Sequence, residues 1–249
     1  MCGRYVQIST PEQLATTFEV DRVRTDPLPA RYNVAPSQDV YAVIAQEGER
    51  RLGTLRWGFV PHWTSALKGA RTPINARLET VARSKMFASA FRRRRCLLPA
   101  DGFYEWQAPA TEGGAKQPFH LHDPDGEPLA FGGIWTAWRD PEQVAATGDA
   151  DAVDPLFSTA IVTTAAAGEL TRIHHRSPLI LPRRLWDDWL TATPEEAPHL
   201  EAAVQALGPP DLVATPISTR VNNVRNDGPE LLEPWSSQDD RPGEDGRSG

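Results

Sequence analysis

Short strand-forming runs through the middle of the sequence constrain its fold more than any other feature. RCLLPA, GFYEWQ, PFHLHD, EPLAFGGIW and FSTAIVTT follow one another, separated by turn-forming stretches such as DPDG. Upstream, DVYAVIAQ and RLGTLRWGF flank EGER and predict a hairpin. Helical segments interrupt these strands without a regular βαβ alternation. The sequence therefore predicts an α+β fold, a single compact domain with a mixed, partly closed, barrel-like β-sheet flanked by short helices.

Six further segments predict the remaining elements. TPEQ is a capping box that predicts a helix from Thr10 to about Val20. RLETVARSKMFASAFRRRR is helical in composition, with a break near Ser84, and its terminal RRRR is typical of a solvated helix end. AAAGELTRIHHR, PRRLWDDWLTA and LEAAVQAL predict helices, and DLVATPIS predicts a last strand.

No linker divides the chain into two cores, so we expect one domain over residues 2–235. The segment 139–155 and the tail 236–249 are acidic and rich in small or turn-forming residues. We expect both to be flexible surface segments.

The charge balance limits the class of partner. The formal net charge of −7 disfavours a general polyanion binder, because electrostatics dominates non-specific nucleic-acid affinity. Between Arg71 and Arg95, however, several arginines and Lys85 face only one acid, Glu79. Any nucleic-acid contact should therefore be local and centred on this stretch.

Other bulk features exclude several classes. No run of about 18 apolar residues predicts a transmembrane helix, and no secretory signal is recognisable, so we expect a cytoplasmic protein with no membrane partner. The chain has two cysteines, Cys2 and Cys96, too few for a structural zinc site. Cys96 lies in an apolar run and is expected to be a buried strand residue.

Cys2 is the most unusual residue of the sequence. If Met1 is removed, Cys2 carries a free α-amine beside its thiol, and near neutral pH a useful fraction of each group is nucleophilic. The amine can form an imine with an aldehyde, and the thiol can then close a five-membered thiazolidine ring. Alternatively, the thiol is a hydrolytic nucleophile and the terminal amine its base.

Two stretches place polar residues beside predicted strands and helices. In PINARLE, Asn75 is typical of a helix cap or turn, although its amide can also orient a carbonyl or the terminal amine, and Arg77 can hold a phosphate. In GFYEWQ, alternation puts Glu105 on the same strand face as Phe103. Glu105 is either an exposed strand residue or a carboxylate held among aromatics with a raised pKa.

Two more stretches carry candidate site residues. IHHR contains adjacent histidines, His174 and His175, of which at most one faces a given pocket, and no metal-ligand spacing accompanies them. Trp63 ends GFVPHW, where it belongs either to the core or to a surface that stacks on a base.

Together these stretches resemble the SOS-response-associated peptidase family, whose members sense abasic sites in single-stranded DNA. The resemblance covers residues 2 to 234 and rests on motifs in family order: MCGRY, RYNVAPSQ, LRWGFVPHW, INARLET, SKMF, RCLLPADGFYEW, IVTTAA, IHHRSP and VNNVRNDGPELL.

The resemblance implies roles for eleven residues. Cys2 would join covalently to the ring-opened abasic sugar, and Asn75 would position the terminal amine or the adduct. Glu105 would assist Schiff-base and thiazolidine formation, and His174 would protonate the sugar oxygen. The implied phosphate ligands are Arg4, Arg77 and Arg176, and the implied neighbours of the DNA path are Pro36, Trp63, Met86 and Thr163.

The same resemblance implies a partner and a setting. We expect a groove for single-stranded DNA that contains abasic sites, including replication-fork or junction DNA. We also expect a monomeric protein that is associated with the nucleoid when it is bound to DNA. No cofactor or metal is expected. Where the family commonly has an acidic residue and a methionine, this chain has His175 and Ser177, so either histidine of the pair can be the catalytic one.

Three rival functions follow from the same residues. Class II glutamine amidotransferases also begin with Cys-Gly, although Arg4 and Tyr5 depart from their pattern. A thiol peptidase using Cys2 and His174 would act, in our interpretation, only to remove Met1. A non-covalent single-stranded DNA-binding module would use Trp63 and arginines alone, which the low positive charge disfavours.

Overall fold

The computed structural model describes residues 2–109, 111 and 113–235. The predicted tail 236–249 and the predicted loss of Met1 lie outside these residues. The strands are β1 Tyr5–Gln7, β2 Arg22–Val23, β3 Arg31–Val34, β4 Asp39–Gln46, β5 Glu49–Trp57, β6 Asn75–Arg77, β7 Arg95–Ala100, β8 Gly102–Gln107, β9 Gln117–His122, β10 Leu129–Trp138, β11 Leu156–Ala165, β12 Arg176–Pro178 and β13 Val213–Pro216.

Short helices connect and cover these strands. The α-helices are α1 Pro11–Thr17, α2 Leu78–Val81, α3 Ala88–Arg93, α4 Pro141–Thr147, α5 Trp186–Thr191 and α6 Ala197–Gln205. The 3₁₀ helices are Ala150–Ala152, Gly168–Arg172, Arg183–Leu185, Thr219–Asn222 and Pro229–Leu232. None of the described helices is long and apolar enough to cross a membrane.

The strands form two sheets. One has five strands in the order β13-β9-β8-β1-β3. The other has eight, with the path β12-β11-β10-β7-β4-β5-β2 and β6 added beside β11. A further parallel pairing joins β11 to β5, so part of the second sheet closes into a ring. The predicted α+β fold with a partly closed mixed sheet is confirmed.

Three apolar clusters hold the layers together. The first lies between the eight-stranded sheet and the helices and includes Phe91 and Trp189. The second lies between the two sheets and includes Cys2, Tyr5 and Phe131. The third covers the outer face of the five-stranded sheet, where a C-terminal segment contributes residues such as Leu231. Cys2 is therefore part of the layer that joins the sheets.

Local sequence signals were most accurate where short-range contacts determine the structure. The hairpin β4–β5 is present, and Glu47 and Gly48 at its turn have φ values of 56° and 79°, as a tight two-residue turn requires. Thr10 and Gln13 form the predicted capping box of α1. The helix ends at Thr17, earlier than the predicted Val20. Cys96 is a fully buried residue of β7, as predicted.

Three predictions need correction. AAAGELTRIHHR is not an α-helix but contains the 3₁₀ turn Gly168–Arg172. The prediction that the RRRR run forms a solvated helix end is wrong for its last residue, because Arg95 begins β7 and is buried. The segment 139–155 lies at the surface as predicted, but it contains α4, capped by the Asp140 side chain.

Candidate active site

Cys2 lies three residues before β1, which runs between β8 and β3 in the five-stranded sheet. The β1 strand pairs with β8, with Tyr5 opposite Phe103, and the Tyr104 amide donates to the Arg4 carbonyl at 3.1 Å. The Cys2 residue is fully buried. Burial, and next the negative charge of Glu105, raises the pKa of its thiol well above the usual range.

Asn75 reaches Cys2 from the other sheet. Its strand β6 runs parallel to β11, with Asn75 opposite Ile161. The Asn75 Nδ2 donates to the Cys2 carbonyl at 2.8 Å, while its Oδ1 is buried without a hydrogen-bond partner among the described residues. The Asn75 side chain thus holds the backbone of Cys2 through Nδ2, and its Oδ1 remains available as a hydrogen-bond acceptor.

Glu105 is buried on the inner side of β8. The predicted alternation is present, since Phe103 belongs to the cluster between the sheets and Tyr104 to the outer cluster. Glu105 is 4% exposed, which excludes its interpretation as an exposed strand residue. Burial raises the pKa of this carboxyl. Gly102 starts the strand at φ 155°, where a Cβ would clash with the His120 ring nitrogen.

His174 faces Glu105 from the turn after the 3₁₀ helix Gly168–Arg172. Its Nδ1 is 3.9 Å from Glu105 Oε2 and accepts the Arg176 amide at 3.0 Å. Nδ1 also lies 3.2 Å from the Arg176 carbonyl, so the neutral ring carries its proton on Nε2 when Nδ1 accepts from the amide and on Nδ1 when it donates to the carbonyl. Burial is the main cause of the lowered pKa of His174. The exposed His175 ring lies 4.3 Å from it, centre to centre.

Arg176 is the most constrained of the predicted phosphate ligands. Its guanidinium contacts Glu79 through two hydrogen bonds of 2.6 and 3.1 Å, and it also donates to the Thr163 carbonyl at 2.7 Å. Thr163 is fully buried, and its hydroxyl accepts from Arg176 at 3.1 Å. Arg77 lies opposite Thr163 in the β6–β11 register and is exposed.

Arg4, two residues after Cys2, is held by a partly buried polar network. Its guanidinium donates to Asn33 Oδ1 at 3.0 Å and to the Val221 carbonyl at 3.2 Å. The backbone amides of Tyr32 and Asn33 both donate to Asp227, at 2.6 and 2.9 Å. Burial lowers the pKa of Arg4.

The remaining predicted DNA neighbours lie away from this cluster. Trp63 is 55% exposed and, with Met86, Arg93 and Arg94, lines a surface cavity of about 360 Å³. Pro36 is exposed on the loop between β3 and β4. The structure therefore brings Cys2, Asn75, Glu105 and His174 together, and it places Trp63 and Met86 together in a separate cavity.

The described residues contain no group of three or more His, Cys, Asp or Glu side chains arranged to hold a metal ion. The chemistry that this cluster can perform is that of a thiol, a carboxyl, an imidazole and an amide. Such groups suit nucleophilic addition and proton transfer.

Comparison with known proteins decides the family. The profile of the SOS response associated peptidase (SRAP) family matches residues 1–224. The chain belongs to this family. Among curated relatives, the abasic site processing protein YoqW of Bacillus subtilis is 32% identical, covering 94% of this chain and 99% of that protein. YedK of Escherichia coli, also named an abasic site processing protein, is 33% identical and is covered completely.

Relatives extend to animals and to solved structures. The abasic site processing protein HMCES of Gallus gallus is 32% identical over 76% of this chain and 59% of its own length. A crystal structure of a Bacteroides thetaiotaomicron protein has a TM-score of 0.75 at 21% identity, covering 94% of this chain and all of the other, and shows the shared fold. A phage-related protein of Bordetella bronchiseptica has a TM-score of 0.65 at 30% identity, covering 87% of this chain and 94% of the other.

Sequence reasoning missed three residues that organise this site. Glu79 binds Arg176, and Asn33 with Asp227 holds the strand beside Arg4. Each lies in a motif that the family resemblance already contained: INARLET, RYNVAPSQ and VNNVRNDGPELL. A polar residue inside such a motif was the available signal, but its partner lies far away in sequence.

Proposed function

We propose that this protein processes abasic sites in single-stranded DNA by forming a covalent thiazolidine crosslink through Cys2 after removal of Met1. The observation that carries the proposal is the convergence on Cys2: the Asn75 amide contacts its carbonyl at 2.8 Å and the Glu105 carboxyl acts electrostatically on its thiol. The names of the relatives as abasic site processing proteins support it.

The chemistry follows from the terminal aminothiol. The ring-opened abasic sugar presents an aldehyde, and the α-amine of Cys2 condenses with it to an imine, releasing water. The thiol then adds to the imine carbon, forming the carbon–sulfur bond while its proton passes to nitrogen. The raised pKa of the thiol supports this order, because a neutral buried thiol is a poor first nucleophile.

Three side chains assist these steps. Glu105, whose pKa is raised by burial, exchanges protons with the amine and thiol. His174 protonates the sugar oxygen as the ring opens, and Nε2–H is the donor in the ring form whose Nδ1 accepts from the Arg176 amide. Asn75 holds Cys2 in place and offers its Oδ1 to the terminal amine. His175 takes no part in this assignment, because it is exposed.

Two minor activities accompany the crosslink. An imine that is not trapped by the thiol permits β-elimination, so weak abasic-site lyase activity is expected. Removal of Met1 requires one hydrolysis, which we assign to the Cys2 thiol of the same chain acting with His174 as its general base, because the neutral thiol alone is a poor nucleophile. We infer that this limited peptidase activity acts on no other substrate.

We infer that the DNA contact is local. Arg4, Arg77 and Arg176 serve as phosphate ligands, with the buried Thr163 acting through Arg176. Trp63, Met86 and Pro36 then border the strand as it leaves. One monomeric domain over residues 2–235 suffices for this activity, with fork or junction DNA as a physiological form of the substrate.

Intact mass spectrometry tests the proposal. Purified protein should lack one methionine, and incubation with an abasic-site single-stranded oligonucleotide should give a denaturation-stable adduct that maps to Cys2. Cys2→Ala should lose the adduct and keep some imine-driven nicking. Cys96→Ala is the matched control, because the other cysteine is buried in β7 and should leave the adduct intact.

Other outcomes would redirect the assignment. A stable adduct in Cys2→Ala would rule out the thiazolidine. Loss of Met1 with no adduct would favour the amidohydrolase, with glutamine hydrolysis as its assay. Cysteine-independent affinity for intact single strands, without any adduct, would instead favour the non-covalent binding module.

A further inference from the structure

We propose that Glu79 is a positioning residue that orients His174 through Arg176. The inference rests on the proposed function, in which His174 transfers a proton to the abasic sugar. Glu79 touches neither the thiol nor the imidazole. Its effect on the chemistry passes along two sets of hydrogen bonds.

The first set joins Glu79 to the guanidinium of Arg176. Nη1 lies 2.6 Å from one carboxylate oxygen and Nη2 lies 3.1 Å from the other, the two-point geometry that makes such pairs strong and directional. Nη2 also donates to the carbonyl and hydroxyl of Thr163. The Arg176 side chain is 11% exposed and the Glu79 side chain 46%, so the guanidinium is held within the protein while solvent reaches the carboxylate.

The second set joins the backbone of Arg176 to His174. The Arg176 amide donates to His174 Nδ1 at 3.0 Å, and this contact orients the ring. Since the Arg176 side chain is held against β11 by Thr163 and Glu79, its backbone amide is held with it. A shift of this residue would move the imidazole relative to Glu105.

The position of Glu79 explains why it can couple both halves of the site. It lies in the first turn of α2, two residues after β6 ends, and Leu78 and Val81 anchor that turn in the core. Asn75 begins the same β6 strand and contacts Cys2. The INARLET motif therefore supplies the contact to Cys2 and, four residues later, the contact that holds Arg176.

A different role for Glu79 predicts the opposite result. If Glu79 only neutralised Arg176 and competed with DNA phosphates, its removal would strengthen binding to intact single strands. A positioning role predicts little change in that affinity and a slower crosslinking step at saturating DNA.

The test compares three variants: Glu79→Gln, Glu79→Asp and the control Glu49→Gln. Glu49 forms a comparable but distant ion pair with Arg22, at 2.8 Å. We expect Glu79→Gln to lower the crosslinking rate constant about tenfold to a hundredfold, as small misplacements of reacting groups do. Glu79→Asp should give an intermediate rate because it keeps the charge but shortens the reach. Glu49→Gln should match the wild type in rate and affinity.

The pH profile supplies a second readout, which loss of stability alone would not move. His174 is faced by Glu105, His175, Lys116 and Arg176. Removing the Glu79 charge leaves Arg176 uncompensated and disfavours the protonated imidazole. The limb of the rate profile that belongs to His174 should therefore move to lower pH in Glu79→Gln.

Unchanged rate constants in both Glu79 variants would overturn the proposal, as would a higher DNA affinity at an unchanged rate. Should Glu79→Gln fold poorly, Glu79→Asp decides: a wild-type rate overturns the proposal and an intermediate rate supports it. Wild-type protein that forms no adduct would instead refute the proposed function, a result that is distinct from either.

Discussion

Glu105 is a buried carboxyl group whose position suits proton transfer beside Cys2 but lowers the stability of the fold when the group is ionised. It is 4% exposed in the cluster beside Cys2, and burial raises its pKa. An acid with a raised pKa binds its proton more tightly in the folded chain than in the unfolded one. Folding is therefore favoured at low pH, and this contribution is lost as the pH rises above the ordinary value of 4.5.

Glu105→Gln should therefore stabilise the protein while abolishing efficient crosslinking. Below about pH 4 the two proteins should unfold at similar denaturant concentrations, because the carboxyl is protonated in both states. The variant should gain relative stability as the pH rises toward neutrality, because glutamine carries no charge to bury. Urea unfolding at several pH values measures the difference. Equal stability at every pH would show that burial of the carboxylate has no net cost.

The sequence could identify Glu105 as a candidate site residue, but it could not show which elements pack around it. Alternation along GFYEWQ correctly placed Glu105 with Phe103, but it could not show which strand face another sheet covers. That depends on β1 pairing with β8 and on the Asn75 strand arriving from the second sheet. The Glu79–Arg176 contact joins residues 97 apart in the sequence, so no local pattern specifies it.

Among the elements, β7 shows how one residue can join two helices. Arg95 is 4% exposed and donates to the backbone carbonyls of Phe91, Trp189 and Ala192. These carbonyls lie in or just after α3 and α5, where helices leave acceptors unsatisfied. Burial lowers the pKa of Arg95 to about 10, so it still carries its charge at neutral pH.

Arg95→Ala should lower the free energy of unfolding by about 3 kcal/mol or more, since buried carbonyls left without donors cost about 1–3 kcal/mol each. Arg94→Ala is the matched control: its guanidinium lies exposed over the Trp135 ring, so the loss should stay below about 1 kcal/mol. Guanidinium chloride unfolding measures both. Equal losses in the two variants would show that the buried hydrogen bonds add nothing beyond a surface interaction.

Element prediction succeeded where adjacent residues decide the structure and failed where pairing decides it. The capping box and the two-residue hairpin turn are local devices, and both are present. AAAGELTRIHHR has helical composition, but Gly168 takes φ 60° and the chain must return to pair Arg176 with Ala165 on β11. The register of that pairing leaves room only for a 3₁₀ turn before His174.

At the scale of the whole molecule, the net charge and the proposed substrate have the same sign. The formal net charge is −7, yet Arg93 and Arg94 are exposed and make no ion pair with any described residue. They line the cavity that also contains Trp63 and Met86. The net charge therefore supplies no long-range attraction for DNA, and we expect the proposed binding to depend on such local positive sites.

Salt dependence measures how far this local surface contributes. Arg93→Gln combined with Arg94→Gln should weaken binding to intact single-stranded DNA at low salt, and the plot of log affinity against log salt should flatten by about 0.7 for each phosphate that the variant no longer binds. Arg183→Gln combined with Arg184→Gln removes the same charge from exposed positions before α5 and should leave the slope unchanged. The crosslinking rate at saturating DNA should be the same in both double variants, since neither changes the residues around Cys2. If both flatten the plot equally, DNA responds only to the total charge of the molecule, and the basic stretch around Arg93 is not a distinct DNA-binding surface.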